Sequence, residues 1–179
     1  MALRMWRLTI AVAGAALAIG CFDREMPERA EAVCANGFTG ECWQMISTDE
    51  MLGWSAAVDY CDGMELGGYA WHLPSIDELR SLVSGCDETE TGGSCGVTEG
   101  CLDSGTCQTG ECAGCGFWGG LGYGGCYWGS GLGGGCTCYW SSSVFADNPL
   151  NAWAVGFDKG EVRGYGKETP CDVRCLADE

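Results

Sequence analysis

The fifteen cysteines among 179 residues constrain this chain more than any other feature of its sequence. Disulfides at such density persist only in an oxidising compartment, because cytosolic reductants keep thiols open. An odd count leaves one thiol that needs an explanation of its own. Setting one cysteine aside leaves fourteen, enough for seven disulfides, so we expect a disulfide framework that forms outside the cytoplasm.

Residues 1–20 have the layout of a secretory signal peptide. Two arginines precede an apolar core from Leu8 to Ile19, which is too short for a comfortable membrane-spanning helix. The series "AIGC", ending at Cys21, resembles a bacterial lipobox, in which the chain is cut before the cysteine and the sulfur is acylated. Lipidation of Cys21 would account for the odd cysteine, and Phe22 after it favours the outer membrane. The alternative is an ordinary signal peptide that leaves Cys21 as a thiol.

The chain after the signal segment is strongly acidic. It holds all 25 acidic residues but only seven of the nine basic ones, which gives a formal charge of −18. Nucleic acid is excluded as a partner, because phosphate binding needs clustered Lys and Arg. An acidic surface can attract Ca²⁺ or simply keep a tethered domain soluble. Solubility is favoured, since no D-x-[DN]-x-[DN]-G loop is present.

A short tether is predicted to precede a single domain. Residues 21–33 are charged and offer little to bury, which is typical of a flexible segment. The domain is expected over residues 34–179. Near its start, Cys34 and Cys42 flank an Asn-Gly turn, a spacing that suits a small loop closed by a disulfide.

Two helices are predicted in the first half of the domain. Apolar residues at helical spacing indicate a helix from about Ser55 to Met64, with Cys61 on its buried face. Ser75 and Glu78 have the spacing of a capping box. They predict the start of a second helix, which is expected to end near Gly85.

Residues 86–138 form an insert of different composition. About a third of these residues are glycine, and apolar periodicity disappears, so disulfides rather than a regular core must hold the shape. The insert contains nine of the fourteen cysteines left after Cys21 is set aside. Because nine is odd, full pairing requires at least one disulfide between the insert and the rest of the domain.

Antiparallel strands are predicted after the insert. The stretch "CYWSSSVF" is typical of a strand, and "NAWAVGF" alternates large and small residues before a turn into "EVRGYG". A last strand, "CDVRCL", follows. Two helices followed by antiparallel strands predict an α+β fold with a disulfide-rich irregular insert.

Five stretches occur in a fixed order: "WSAAVDYC", "GGYAWHLPSIDELRSL", "YWSSS", "NAWAVGFDKGEV" and "DVRCL". Together they resemble the Lcl C-terminal domain family, the C-terminal domain of the Legionella collagen-like adhesin, also labelled a domain of unknown function. The resemblance covers residues 54–83 and 139–176 and leaves the signal, tether and insert outside. It implies a C-type-lectin-like α+β fold.

The resemblance also implies a disulfide between the first helix and the last strand, which would join Cys61 to Cys175. If Cys34 also pairs with Cys42, Cys171 is the remaining cysteine outside the insert. Cys171 would then be the natural partner for the odd cysteine of the insert.

Two features could in principle take part in chemistry, namely His72 and a C-x-x-C motif, and both are interpreted as structural. His72 stands where the family usually has arginine, and the sequence contains no second histidine with which to build a metal site. A structural or surface role is therefore expected. Cys112 and Cys115 form a C-x-x-C motif, but no helix follows that would lower a thiol pKa, which favours structural disulfides.

Aromatic residues in the insert are the candidate ligand-binding residues. Trp118, Tyr123, Tyr127 and Trp128 alternate with glycines, and exposed rings of this kind could stack on sugars. The alternative is that they fill a small core among the disulfides, and we favour this alternative.

The expected function is that of a surface-anchored lipoprotein that binds an extracellular or envelope ligand, such as a glycan, without catalysis. No catalytic residue, cofactor or metal ligand is predicted. One alternative is an oxidoreductase like the formylglycine-generating enzymes, which share the broad fold and depend on reactive thiols. Another is a purely structural envelope protein.

Overall fold

The computed structural model describes residues 32–34, 41–48 and 50–178. The signal peptide, Cys21 and most of the tether lie outside the described residues, so the lipidation of Cys21 stays a prediction. The first strand, β1 (Ala32–Cys34), begins within the segment that was expected to be tether. Among the described residues, no helix combines the length and apolarity needed to cross a membrane.

Both predicted helices are present. The first, α1 (Trp54–Asp62), buries Ala57 and Cys61, as its periodicity predicted. The second, α2 (Ile76–Ser81), begins with the predicted capping box, in which Ser75 and Glu78 each accept a hydrogen bond from the other's backbone N–H. The helix ends earlier than expected, because Val83 leaves it to form a β-bridge with Trp128 of the insert.

In the described part of the chain, seven strands form two small antiparallel sheets. One sheet has the order β1, β2 (Glu41–Gln44), β7 (Leu176–Asp178) and β3 (Trp71–His72). The other has the order β4 (Cys138–Val144), β5 (Asn151–Gly156) and β6 (Glu161–Gly166), which contains the predicted hairpin. The α+β class predicted from the sequence is therefore confirmed. Strand β2 was not predicted, because four residues give no measurable alternation.

The predicted last strand is wrong over most of its length. Only Leu176 belongs to β7, and the preceding residues bond to several separate segments instead of one neighbouring strand. Cys171 exchanges backbone hydrogen bonds with Leu52, whereas Asp172 bonds to Cys138 and Trp140. This segment therefore joins several parts of the chain at one place.

The core combines residues from the insert and from the rest of the domain. Trp128 of the insert packs against Tyr139 of β4 and against Phe157, with ring centroids 5.6 and 4.9 Å away. All three side chains have less than 2% of their surface exposed. The insert is therefore part of the same folded unit as the two sheets.

Disulfides connect the insert internally and to the sheets. Cys61 is bonded to Cys175, the pair that the family resemblance implied. Four bridges lie within the insert: Cys86–Cys115, Cys95–Cys112, Cys101–Cys107 and Cys126–Cys136. The ninth insert cysteine is joined to the body through the Cys138–Cys171 bridge, as the odd count required. Cys42 is also disulfide-bonded, and the register of β1 and β2 places Cys34 opposite it.

Two buried arginines also hold the insert in place. The guanidinium of Arg80, on α2, donates to the backbone carbonyls of Thr89, Glu90 and Val97. Arg174 donates to the carbonyls of Gln44, Met45 and Gly133. Burial lowers the pKa of both side chains. Backbone carbonyls thus replace the carboxylate partner that a buried arginine usually requires.

Candidate functional site

Exposed apolar side chains are concentrated in one loop of the insert, residues 117–125, which we call the aromatic loop. Its four large side chains have exposed fractions between 58 and 88%. They are Phe117, Trp118, Leu121 and Tyr123. Among the described residues, Leu150 is the only other large apolar side chain as exposed as these. A cluster of this kind marks an interaction surface more often than single exposed residues do.

Backbone hydrogen bonds hold the aromatic loop in one shape. The N–H of Trp118 donates to the carbonyl of Asp158 at 2.8 Å, which attaches the loop to the turn before β6. Within the loop, Gly120 donates to Gly125 and Gly122 donates to Cys126, both at 2.9 Å. The loop is therefore preorganised, and a ligand would not have to order it on binding.

Glycines form the inner side of the loop because no side chain would fit there. A Cβ atom on Gly120 would lie 2.1 Å from the carbonyl oxygen of Cys126. One on Gly122 would lie 2.4 Å from Cδ1 of Trp128. The loop backbone thus rests directly on the buried Trp128 ring, which leaves the larger loop side chains on the solvent side.

Trp118 has an unusual backbone conformation. Its φ is +56°, and it is the one residue other than glycine with positive φ in the described part of the chain. Bulky side chains are strained in this region, and such strain is found preferentially at functional sites. Trp118 is 58% exposed, so burial of its ring does not account for this conformation.

The structure divides the four aromatic candidates into two pairs. Trp118 and Tyr123 are exposed, whereas Tyr127 and Trp128 are 3% and 0% exposed and cannot stack on a ligand. Tyr127 donates from its hydroxyl to the carbonyl of Gly116 at 2.6 Å. For Tyr127 and Trp128 the prediction of a ligand-binding role is therefore wrong, and the core alternative is right.

The sequence interpretation missed Phe117 and Leu121. Both lie in the same glycine-rich stretch as Trp118 and Tyr123, which was the available signal, and Leu121 lies between the inward-facing Gly120 and Gly122. Phe117 also contacts a cation next to the loop, since Lys159 Nζ lies 4.5 Å from its ring centroid. Lys159 is in turn 3.2 Å from Glu161, so this cation is already paired.

The family assignment rests on the whole domain rather than on the loop. The sequence profile of the Lcl C-terminal domain matches residues 33–177, which include both sheets, both long helices and the insert. The chain belongs to the Lcl C-terminal domain family. No curated protein and no solved structure was found to match it.

In this Lcl C-terminal domain, His72 lies on β3 at the surface. Its Nε2 is 3.8 Å from Oε2 of Glu78, and each side chain is about a third exposed. Glu78 already accepts the backbone hydrogen bond of the capping box. This position agrees with a surface role for His72.

The C-x-x-C motif of this Lcl C-terminal domain is divided between two bridges. Cys112 is bonded to Cys95, and Cys115 is bonded to Cys86. Among the described residues, Cys86, Glu88 and Cys115 are the one group with the spacing of metal ligands. Because the two sulfurs are bonded to each other, neither is a thiolate, and only the Glu88 carboxylate could coordinate a cation.

Proposed function

We propose that this chain is a lipid-anchored protein of the bacterial cell envelope whose domain binds an extracellular or envelope ligand, with a glycan as the leading class. In this proposal Cys21 bears the lipid, the outer membrane holds the anchor, and residues 33–177 form a C-type-lectin-like domain. Membership of an adhesin-related family supports a binding role. The proposal involves no catalysis, cofactor or nucleic acid.

The observation that carries the proposal is the aromatic loop. Flat aromatic side chains stack on the apolar faces of sugar rings, and the loop presents Trp118 and Tyr123 on a backbone that is already held in place. Trp118 keeps this exposed position despite its strained φ of +56°. A purely structural envelope protein would have no use for such an arrangement.

A glycan array probed with the delipidated mature chain tests the proposal. The double variant W118G/Y123S removes both rings, and glycine at 118 also relieves the backbone strain. The matched control is L150S, which removes an equally exposed apolar side chain elsewhere. We expect the parent and L150S to bind the same glycans and W118G/Y123S to lose them. Absence of binding across a diverse array would contradict the glycan assignment.

The enzyme alternative requires a reduced thiol. Every cysteine from Cys42 to Cys175 is in a disulfide, so this alternative receives no support from the arrangement of the sulfurs. Titration of the native protein with a thiol reagent tests it, and a reactive cysteine within this range would revive it.

Mass spectrometry of the mature N-terminus tests the anchor in the same sample. An unmodified Cys21 would overturn the lipoprotein proposal.

A further inference from the structure

A groove of about 370 Å³ lies beside the aromatic loop. One wall is the end of α2 and the residues after it, Ser81–Ser84. The other wall is residues 129–132 of the insert, and Trp43 of β2 lines the groove between them. The groove thus lies where the insert crosses the rest of the domain.

Hydrogen bonds fix both ends of the insert wall. At one end, the N–H of Ser84 donates to the carbonyl of Tyr127 at 3.0 Å. At the other, the N–H of Gly133 donates to Met45 at 2.9 Å, and Arg174 donates to the carbonyl of Gly133. The segment between these points stands away from α2, so the opening is built into the fold.

The groove and the aromatic loop adjoin each other. A Cβ atom on Gly85 would lie 3.6 Å from Cγ of Leu121, one of the exposed side chains of the loop. Gly85 directly follows Ser84, which lines the groove. Leu121 therefore marks the boundary between the two features, and one elongated molecule could contact both.

This combined surface has no charged side chain of its own on a strongly acidic protein, and the Lys159–Glu161 ion pair beside Phe117 carries no net charge. From Cys112 to Ala146 the sequence contains no Asp, Glu, Lys, Arg or His, although the whole chain has a formal charge of −16. No ionisable side chain lines the groove. An anionic polymer would be repelled by the rest of the chain and would find no cation in the groove. A cationic ligand would find no carboxylate there.

We propose that the aromatic loop and the groove are consecutive subsites for an extended, neutral polysaccharide. The inference rests on the proposed glycan-binding function and specifies its ligand. The loop stacks against one part of the chain through Trp118 and Tyr123, and the groove receives the continuing sugars. Leu82 and Leu132, which are partly exposed, offer apolar contact there, and the hydroxyls of Ser84 and Ser130 suit hydrogen bonds with sugar hydroxyls.

Binding of chain-length series by the mature protein tests this inference. The probes are cellohexaose, maltohexaose, mannohexaose and N-acetylchitohexaose, their disaccharides, and hexagalacturonate as the anionic probe. We expect calorimetry to show at least one neutral hexasaccharide bound about tenfold or more tightly than its disaccharide, and hexagalacturonate not bound.

Two glycine variants locate the second subsite. A Cβ on Gly129 would meet no atom within 4 Å, so G129L should fold and place its side chain at the groove wall. Gly110 has equally open surroundings and is not among the residues that line the groove, which makes G110L the matched control. We expect G129L to weaken hexasaccharide binding about tenfold and to leave the disaccharide unchanged, with G110L like the parent.

The remaining outcomes separate the two proposals. Equal affinity for short and long sugars, or a G129L variant that binds like the parent, would overturn the assignment of the groove as a second subsite. The W118G/Y123S variant would still test the loop as the first subsite. Binding of hexagalacturonate alone would overturn the neutral ligand but not glycan binding. If no probe binds, both proposals fail. A dimer of the unliganded chain that W118G/Y123S abolishes would assign the surface to a second copy instead.

Discussion

The body of the domain, residues 54–83 and 139–178, and the insert are stabilised in different ways although they share one core. In the body, helices and antiparallel strands satisfy the backbone. In the insert, the longest helix, α3 (Ser104–Cys107), has only four residues, and four internal disulfides together with Arg80 and Arg174 replace regular structure. The comparison indicates that a glycine-rich segment can present a defined binding surface when crosslinks replace the regular backbone pairing.

The largest predicted difference in stability is between removal of a body disulfide and removal of an insert disulfide. The Cys61–Cys175 bridge closes 114 residues, whereas Cys101–Cys107 closes only six. Loop-closure entropy predicts that C61A/C175A lowers the free energy of unfolding by about 4–5 kcal/mol and C101A/C107A by about 2 kcal/mol. Urea denaturation measures both. If both double variants lost the same unfolding free energy, the idea that insert bridges act locally would be contradicted.

Removal of Arg80 should loosen the insert selectively. R80M leaves three backbone carbonyls without their charged donor, which we expect to cost about 3 kcal/mol. Hydrogen exchange should accelerate in residues 86–97 and change little in β5. R163M is the control, because Arg163 is exposed and lies over the Tyr165 ring, and it should cost about 0.5 kcal/mol or less. Uniform acceleration across the domain would argue against a local role for Arg80.

Helix caps should matter more in the body than in the insert. Ser75 caps α2, and S75A is expected to cost about 1 kcal/mol. Asp103 caps α3 by accepting from the N–H of Thr106 at 2.8 Å, but the Cys101–Cys107 bridge already holds that turn closed. D103A should therefore cost only about 0.3 kcal/mol. Thermal unfolding of both variants tests the difference, and a larger loss for D103A would reverse the comparison.

The smallest expected effects concern two carboxylates that join the insert to the body, and they have opposite signs. Asp172 accepts a hydrogen bond from Thr137 of the insert, and its burial raises the carboxyl pKa. Its ionisation therefore costs stability above the raised pKa. D172N should be more stable than the parent at neutral pH, and the difference should shrink as the pH falls through that pKa towards about 4.

Asp147 should behave in the opposite way. Its carboxylate accepts hydrogen bonds from the backbone and hydroxyl of Ser104, which lower its pKa. The resulting stability is present above the ordinary aspartate pKa and is lost as the pH falls through the lowered one. D147N should thus be less stable than the parent at neutral pH and equal to it in strong acid. Urea midpoints across the acid range test both signs, and parallel curves for the two variants would contradict them.

Local sequence signals predicted the body well. Helical spacing identified α1, the capping box at Ser75 identified the start of α2, and the turn at Asp158–Gly160 identified the hairpin of β5 and β6. Each of these elements depends on a pattern within a few residues. Strand β2 and the irregular segment after Cys171 depend instead on distant partners, which the sequence does not reveal.

In the insert, by contrast, local sequence signals predicted little of the structure. Cysteine parity required a bridge to the body, and Cys138–Cys171 provides it, but parity cannot choose among the possible pairs within the insert. Trp118 and Trp128 look alike in the sequence, since both lie next to glycines. Only the close approach of the loop backbone to Trp128 decides which of them is buried, and no periodicity encodes that contact.

The connectivity of the disulfides also determines how the protein must mature. A chain oxidised in order of emergence would first join neighbouring cysteines, so Cys61 would meet Cys86 long before Cys175 is available. Three of the six bridges in the described part of the chain join consecutive cysteines, whereas Cys61 skips all of those that follow it and pairs with Cys175. Any bond that Cys61 forms before Cys175 emerges must therefore be rearranged by thiol–disulfide exchange. We expect a host that produces this protein in quantity to need a disulfide isomerase as well as an oxidase.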